Sequence, residues 1–409
     1  MNQTIRSRIE QIKRGEIPEG YEKTPFGIFP YDWEKSTLKK LGEFAKGKGI
    51  PGEKMKNEGI PCVGYGDIYM KYNYHFNQAK SFIDRTTADE SIQVGRNTLL
   101  FTGTGETAEE IGKCVCYTGP DDIYVGGDII IFNSVEVSPV FIAYQQYLPF
   151  AIKQKAGFGQ GYSVVHIYKS DLEKLYCAYP KSKAEQEKIA EILQEQDRLI
   201  ELKEKLTEEK KKQKQYLMEV LLTGKVRLPG FTDEWESTTL GDIAKMYQPQ
   251  TLTQEEINLH AGYPVYGANG VIGFYEKFNH FEPQIIITCR GSTCGTVLLT
   301  VPKSWINGNA MVINVDSNKS VNKLFMYYLF SSIDFSPIIS GSGQPQIVRS
   351  PLSKWGIKIP KIEEQEKISK ILKEADEEIK LLETELEEQK RKKQSLMQLL
   401  LTGIVKVKA

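Results

Sequence analysis

The side chains with the most specific binding chemistry lie in three glycine-rich loops in the second half of the chain. These loops cover residues 266–270 (YGANG), 290–295 (RGSTCG) and 340–346 (SGSGQPQ). Arginine can donate hydrogen bonds to two acceptor atoms of guanine in the major groove of DNA, and asparagine or glutamine can form two hydrogen bonds with adenine. Each such pair gives about 1–3 kcal/mol of discrimination against the wrong base. The loops therefore predict contacts with DNA bases through Tyr266, Asn269, Arg290, Ser292, Ser342, Gln344 and Gln346.

Comparable loops lie in the first half of the chain, at residues 46–48 (KGK), 64–67 (GYGD), 102–107 (TGTGET) and 157–163 (GFGQGYS). Their predicted DNA-contacting residues are Lys46, Lys48, Tyr65, Thr102, Thr104, Gln160, Tyr162 and Ser163. For any single loop the alternative stays open that its glycines only join two strands in a turn. The glutamine-containing loop carries the strongest prediction, because one precedes the last strand of each half.

The sequence lacks motifs of catalysis. There is no GxxxxGK[ST] phosphate loop and no GxGxxG between a strand and a helix. The Asn-Pro-Pro-Tyr or Asp-Pro-Pro-Tyr run of a base methyltransferase is missing, and Pro120-Asp121 is not followed by the Glu-x-Lys strand of a metal-dependent nuclease. The cysteines and histidines show no metal-ligand spacing. We therefore predict no catalytic, cofactor-binding or metal-binding residue in this chain.

A long repeat organises the elements that must position these loops. Residues 185–226 align without a gap with residues 364–405, and about half of the positions are identical. No glycine or proline interrupts either copy before Gly224 or Gly403, so both are predicted to be long helices. The flanking regions repeat landmarks more loosely, such as Trp33 with Trp235. The chain is therefore a tandem duplication of a globule followed by a helix.

The predicted fold class is α+β, with two similar globules in tandem separated by two long antiparallel coiled-coil helices in a pseudo-two-fold body. The predicted segments are an N-terminal helical segment (1–20), the first globule (21–182), the first long helix (183–226), the second globule (227–361) and the second long helix (362–409). In the first globule we expect strands at 60–63, 91–101, 113–117, 128–133 and 164–168, and a helix over 141–152. An amphipathic helix over residues 1–14 is expected to pack beside the end of the C-terminal helix.

The second long helix has the pattern of a coiled coil. Its seam alternates at spacings of four and three through Ile368, Leu372, Ala375, Ile379, Leu382, Leu386, Gln389, Lys393, Leu396 and Leu400. In the first helix Leu199 and Leu206 widen the apolar stripe, which predicts that a third element packs on it. Each helix is acidic earlier and basic later, so antiparallel pairing would place opposite charges together.

Composition and charge limit the possible classes of protein. Lys+Arg and Asp+Glu both total 53, and each globule is close to neutral. We therefore expect the chain to bind DNA weakly alone and to need partners for many phosphate contacts. No apolar run approaches the ~20 residues of a membrane span. A polar N-terminus unlike a signal peptide and unpaired cysteines favour a reduced protein in the cytoplasm.

With these features the chain resembles the specificity subunits of type I restriction–modification systems over essentially its whole length. The resemblance is carried by EQEKI at 185–189 and 364–368, each after a proline and before a long helix ending in LLTG, together with YPVYGANG (263–270), RGSTCG (290–295) and SGSGQPQI (340–347). It implies a non-catalytic subunit with two target-recognition domains, each reading one half of a bipartite double-stranded DNA target. The helix pair would set the gap between the half-sites.

The resemblance also implies partner subunits and cofactors that this chain does not hold itself. Two modification subunits would dock on the chain and carry out adenine methylation with S-adenosylmethionine, and two restriction subunits would use ATP and Mg²⁺. The first globule departs from the family pattern, because its loop at 102–107 lacks an arginine like Arg290. From the residues alone, two other classes stay open: an enzyme that methylates or cuts DNA by itself, and a coiled-coil scaffold without DNA affinity.

Overall fold

The computed structural model of the chain describes residues 3–161, 164–268, 270–341 and 343–408. The chain divides into two compact units: unit 1 is Met1–Leu202 with Leu386–Ala409, and unit 2 is Lys203–Glu385. Each unit contains one globule and one portion of each long helix. In the described part of the chain, no helix combines the length and the apolar character that crossing a membrane requires.

Unit 1 combines short strands with short helices. Its strands are β1 Tyr21–Thr24, β2 Gly27–Pro30, β3 Trp33–Thr37, β4 Gly42–Lys46, β5 Ile60–Val63, β6 His75–Phe76, β7 Ser81–Ile83, β8 Ile92–Val94, β9 Thr98–Thr102, β10 Thr104–Gly105, β11 Cys114–Tyr117, β12 Ile123–Val125, β13 Ile129–Ser134, β14 Val165–His166 and β15 Tyr176–Pro180. Its helices are α1 Gln3–Lys13, α2 Leu38–Leu41, α3 Tyr65–Met70, α4 Arg85–Asp89, α5 Pro139–Gln145, α6 Pro149–Phe158 and α7 Lys169–Leu172, with a 3-10 turn at Gly52–Lys54.

The first long helix, α8 Lys183–Leu221, runs from unit 1 into unit 2. The strands of unit 2 are β16 Glu236–Thr239, β17 Lys245–Tyr247, β18 Tyr263–Gly267, β19 Gly270–Tyr275, β20 Ile285–Thr288, β21 Val297–Leu299, β22 Trp305–Ile306, β23 Ala310–Asn314 and β24 Gly356–Ile359. Its shorter helices are α9 Leu240–Ile243, α10 Lys323–Ser331 and α11 Arg349–Ser353, with 3-10 turns at Gln254–Glu256 and Ser336–Ile338. The second long helix is α12 Ile362–Leu400.

The sheets of the two units correspond, except that the edge strands β6 and β8 of unit 1 have no counterpart among the described residues of unit 2. Unit 1 has a five-stranded sheet in the order β4-β13-β9-β11-β6, and unit 2 has a four-stranded sheet in the order β17-β23-β20-β21. The smaller sheets β7-β5-β12-β8 and β19-β18-β22 correspond likewise, as do the pairs β15-β3 and β24-β16. Every residue of the central strands β9 and β20 is buried, so each sheet lies inside the core of its unit. The duplicated α+β fold is thus confirmed.

Two predicted elements are interrupted in the structure for local reasons. The strand expected over 91–101 is broken into β8 and β9 by a turn in which Asn97 has a φ of 66°, a conformation that asparagine tolerates better than most residues. The helix expected over 141–152 is two helices, because Pro149 begins α6 instead of continuing α5. Proline has no backbone N–H to donate inside a helix.

The two long helices pack antiparallel within each unit. In unit 1 the side-chain amide of Gln196 donates to Oε1 of Gln389 at 3.1 Å, and Lys393 forms an ion pair with Asp197. In unit 2 the carboxylates of α12 meet the lysines of α8 in the pairs Lys203–Glu385 (2.6 Å), Lys210–Glu378 (2.7 Å), Lys211–Glu383 (3.0 Å) and Lys214–Asp376 (2.5 Å). The charge pattern therefore predicted the pairing correctly.

The predicted seam of α12 is confirmed, whereas the widened stripe of α8 is not. All ten seam positions of α12 are buried or half-buried. Leu199 and Leu206, however, are 37% and 45% exposed, and Leu202 is exposed as well. The prediction that a third element covers Leu199 and Leu206 is wrong, because both leucines face solvent.

A buried glutamine attaches each long helix to its own globule. In unit 1 the side chain of Gln186 accepts a hydrogen bond from the backbone N of Ser138 at 2.8 Å and donates to the carbonyl of Pro180 at 2.7 Å. In unit 2 Gln365 accepts from the backbone N of Asn322 at 2.9 Å and donates to the carbonyls of Pro360 and Ser320 at 2.8 and 3.0 Å. The EQEKI motif therefore has a structural role, which the sequence did not reveal.

A Tyr–Asp–Lys cluster also recurs. The hydroxyl of Tyr144 donates to Asp197 of α8 at 2.6 Å, and Asp197 pairs with Lys393 of α12. In unit 2 the hydroxyl of Tyr328 donates to Asp376 of α12 at 2.7 Å, and Asp376 pairs with Lys214 of α8. In each unit, one aspartate on one long helix thus links a tyrosine of the globule to a lysine on the other long helix.

The N-terminal helix lies where the duplication predicted it. Nη1 of Arg8 donates to the carbonyl of Ile404 at 3.2 Å, and the hydroxyl of Tyr21 donates to the carbonyl of Gly403 at 2.7 Å. Arg8 also lies over the ring of Tyr21. The segment after α12 is thereby fixed to the N-terminal segment of the same unit.

A buried lysine gives the free energy of unfolding a distinctive pH dependence. Nζ of Lys155 donates to the carbonyls of Gly112 and Gln146, and burial lowers the pKa of Lys155 to about 8. In the unfolded chain the pKa would be about 10.4. Between these values the unfolded state binds more protons, so the contribution of Lys155 to stability rises with pH. We expect the unfolding free energy of the protein relative to Lys155→Met to increase by about 2 kcal/mol from pH 7.5 to 9.5.

Denaturant unfolding of both proteins across this pH range measures that difference. Subtracting the unfolding free energy of the variant cancels the contributions of the tyrosines and cysteines that titrate in the same pH range. A difference that stays flat with pH would show that Lys155 keeps an ordinary pKa in the folded state.

Candidate nucleic-acid interface

In unit 2 the three predicted loops converge on one short β-ladder. Arg290, which follows β20, forms an antiparallel bridge with Gln346, and the backbone N of Gly291 donates to the carbonyl of Pro345 at 3.1 Å. The hydroxyl of Thr293 donates to the carbonyl of Ala268 at 2.5 Å, and this hydrogen bond attaches the β18–β19 turn to the loop that carries Arg290. Residues far apart in sequence are therefore brought to one edge of the globule.

The side chains at this edge are available to a ligand. Arg290, Ser292, Gln344 and Gln346 are all exposed. Within the described part of the chain, the Arg290 guanidinium has no ion-pair partner, so its donors remain open to acceptors of a bound molecule. Such a set of a planar cation and two amides is suited to the acceptor and donor edges of DNA bases.

Tyr266 is a correction to the predicted set. Its ring is 7% exposed and packs in a core cluster with Ile286, and its hydroxyl accepts from the backbone N of Val301 at 3.2 Å. Tyr266 lies in the buried end of β18 together with Val265 and Gly267, so it supports the turn and does not face a ligand.

In unit 1 the corresponding ladder is the pairing of β10 with β14. Thr104 pairs with His166, and Oγ1 of Thr104 lies 3.4 Å from Nδ1 of His166. Gln160 forms a bridge with the same His166. The side chains of Gln160 and His166 are exposed.

An open groove of 440 Å³ lies beside this ladder. Two of the predicted residues, Lys46 and Thr104, line it. Its other lining side chains include His166, the exposed Tyr168 and Lys169, whose Nζ donates to the carbonyl of Phe44 at 3.0 Å. Asp128 and Glu173 also line the groove, so its lysines can contact phosphates, and its imidazole, aromatic ring and carboxylates can contact bases.

Other predicted residues of unit 1 lie elsewhere. Lys48 and Tyr65 are exposed but do not line the groove. Thr102 is fully buried, and its hydroxyl is hydrogen-bonded to that of Tyr69 at 2.8 Å. Thr102 is therefore a second correction, because a hydroxyl inside the core cannot reach a base. The predicted residues Tyr162, Ser163, Asn269 and Ser342 lie outside the described residues.

The site residues predicted from the sequence did not include His166, Tyr168 and Lys169. They also did not include Arg349, the first residue of α11, which corresponds to Lys169 at the start of α7. The available signal was the match between KSDL at 169–172 and RSPL at 349–352. Arg349 is exposed like Lys169, so each globule presents a cation just after its ladder.

Among the described residues at the edge of unit 2, neither cysteine is activated as a nucleophile. Burial raises the pKa of the Cys289 thiol, next to Arg290, to about 11, and it also raises the pKa of Cys294. A thiol needs a lowered pKa to react as a thiolate near neutral pH. Among the described residues there is also no cluster of His, Cys, Asp and Glu that could hold a metal ion. The arrangement is suited to recognition.

Comparisons with known proteins agree with this chemistry. The model of the family described as type I restriction modification DNA specificity domain matches residues 30–211 and again residues 232–391. A putative type I restriction enzyme specificity subunit of Methanocaldococcus jannaschii, MjaX, is 26% identical over 428 aligned residues, covering 95% of this chain and 97% of the relative. The EcoprrI specificity subunit of Escherichia coli is 29% identical over 173 residues, 41% of each chain.

Solved structures show the same fold. The S subunit of a type I restriction–modification system from M. genitalium superposes with a TM-score of 0.63 at 20% identity, covering 90% of this chain and 96% of that one. A chain from a study of complex assembly and conformational transition of the type I R-M system gives 0.55 at 14% identity, covering 92% and 99%. Because the family model matches both globules and most of the chain, this protein belongs to the specificity subunits of type I restriction–modification systems, which recognise DNA sequence and are not themselves catalytic.

Proposed function

We propose that each globule reads one half of a bipartite double-stranded DNA sequence. The observation that carries the proposal is the equivalent ladder in each unit, which presents Arg290 and Gln346 in one and Thr104 and His166 in the other. Two similar readers in one chain suit two half-sites, and their different side chains suit different bases.

The two long helices would set the gap between the half-sites. Each is 39 residues long without a break, as a spacer of fixed length requires. The exposed leucines of α8, which are Leu199 and Leu202 in unit 1 and Leu206 in unit 2, give these helices apolar surface for partners. We assign that surface to two modification subunits.

Partner subunits would also supply what this chain lacks. Its net charge is zero, so phosphate contacts of its own are few compared with those of an independent DNA-binding protein. In the proposed complex the modification subunits methylate adenine with S-adenosylmethionine, and two restriction subunits use ATP and Mg²⁺. All six cysteines are free thiols, which supports action in the cytoplasm.

Methylome sequencing tests this proposal directly. We expect a methylation-free host that expresses this chain with its modification subunit to gain methylated adenine in one bipartite motif with a fixed gap. The reason is that two readers held by one chain select two short sequences at once.

The matched control is the same host with the modification subunit alone, which should gain no methylated motif. Methylation that does not depend on this chain, or a single contiguous motif, would contradict the proposal. A complex that forms but never binds DNA would point to a scaffold.

A further inference from the structure

The two ladders share the same pattern of backbone hydrogen bonds around one strand position. In unit 1 the N of Gly103 donates to the carbonyl of Asp128 at 2.8 Å, and the N of Ile167 donates to the carbonyl of Gly103 at 3.0 Å. In unit 2 the N of Cys289 donates to Asn309 at 2.9 Å, and the N of Ile347 donates to Cys289 at 3.0 Å. Gly103 and Cys289 therefore occupy the same position.

The next residues along the ladder correspond as well. The backbones of Gln160 and His166 exchange hydrogen bonds of 3.0 and 2.8 Å, and those of Ser340 and Gln346 exchange hydrogen bonds of 2.9 and 2.8 Å. Thr104, one residue after Gly103, thus corresponds to Arg290, and His166 corresponds to Gln346. The glutamine-containing loops suggest a different equivalence, between Gln160 and the glutamines of residues 340–346. The hydrogen bonds instead place Gln160 at the position of Ser340.

We propose that these two residues form a reading pair, Thr104 with His166 in unit 1 and Arg290 with Gln346 in unit 2, that selects bases at the same place in each half-site. The assignment rests on the proposed function. In both units the two residues face each other across a ladder of a few residues, and this holds their side chains close together at the edge of the globule.

The chemistry of the pairs differs, so their base choices differ. Arg290 and Gln346 present the donors and acceptors that suit guanine and adenine in the major groove. Thr104 presents a methyl group that can contact the methyl group of thymine. Nδ1 of His166 faces the Thr104 hydroxyl, which leaves Nε2 for a base edge. His166 is thereby a specificity-determining residue of unit 1.

Exchanging the pairs within the full complex is the test. In T104R/H166Q, we expect the methylome to report new bases at one or two adjacent positions of one half-site, with preference at those positions changed roughly 5- to 140-fold. The other half-site and the gap stay as they were. The reciprocal R290T/Q346H changes only the opposite half-site.

The controls separate readout from folding. Thr86→Arg places the same new side chain on an exposed position of α4, away from the groove, and should leave both half-sites unchanged. If T104R/H166Q does not assemble, His166→Asn and Arg290→Lys decide instead. Arg290→Lys keeps the charge but loses the bidentate geometry, so it should relax one half-site only.

Each outcome bears on one proposal. An unaltered complex that methylates no bipartite motif would overturn the proposed function. A bipartite motif that stays identical in T104R/H166Q, or in the two single variants, would overturn the reading pair and leave the proposed function standing.

Discussion

Replacing Gln365 with leucine is expected to lower the free energy of unfolding of unit 2 by at least about 3 kcal/mol. The side chain is fully buried and hydrogen-bonded to the N of Asn322 and to the carbonyls of Ser320 and Pro360. Leucine fills similar space but leaves three backbone groups without partners, and each unsatisfied buried group costs about 1–3 kcal/mol. The loss would loosen the attachment of α12 to its globule.

Tryptophan fluorescence during denaturant unfolding can measure this loss in unit 2 alone. Trp33 lies in unit 1, whereas Trp235, Trp305 and Trp355 lie in unit 2. A Trp33→Phe background therefore leaves reporters in unit 2 only. Gln213→Leu is the matched control, because Gln213 is an exposed glutamine of α8 in the same unit. A Gln365→Leu loss no larger than that of the control would contradict the anchoring role.

Local periodicity made much of the fold predictable. The spacing of apolar residues in α12 and the order of charges along both helices depend only on nearby sequence, and they specify an antiparallel pair. The gapless repeat then carries the architecture of one globule over to the other. Leu199 and Leu206 were misread because an apolar side chain on a helix looks the same in sequence whether it is covered or exposed.

The candidate site was less predictable because it depends on long-range pairing. Glycine-rich loops marked the correct neighbourhood, but they do not tell which side chains turn inward, and so Thr102 and Tyr266 were wrongly chosen. His166 was missed because its partner, Thr104, is 62 residues away. Gln365 was treated as a family marker, since its hydrogen-bond partners around residue 320 are invisible in local sequence.

Removing Lys393 is expected to destabilise unit 1 by about 3 kcal/mol, the lower end of the cost of breaking a buried ion pair. The side chain of Lys393 is 8% exposed and that of Asp197 is 23% exposed. Lys393 also lies 3.4 Å from the ring centroid of Tyr74. Burial lowers the pKa of Lys393 although Asp197 opposes this, so the charged amine depends on its partners. Lys393→Met leaves the Asp197 charge half-buried and held mainly by the Tyr144 hydroxyl.

Unit 2 provides the matched comparison. Lys214 and Asp376 form the equivalent pair but are 22% and 40% exposed. Water can solvate Asp376 when its partner is lost, so Lys214→Met should cost only about 1 kcal/mol. Native-state hydrogen exchange of the amides of α8 in unit 1 and of α12 in unit 2 measures the two losses separately. Equal losses in the two units would show that burial does not decide the strength of the pair.

A double substitution distinguishes an unpaired charge from lost packing. In Asp197→Asn/Lys393→Met both charges are gone, while the amide oxygen that replaces the carboxylate can still accept from Tyr144. If the single variant is unstable because it leaves a carboxylate without its cation, the double variant should recover to within about 1 kcal/mol of the original protein. If the aliphatic stem of Lys393 and its contact with Tyr74 provide the stability, the double variant stays as unstable as Lys393→Met. We expect recovery, because methionine keeps most of that stem and removes only the ammonium group.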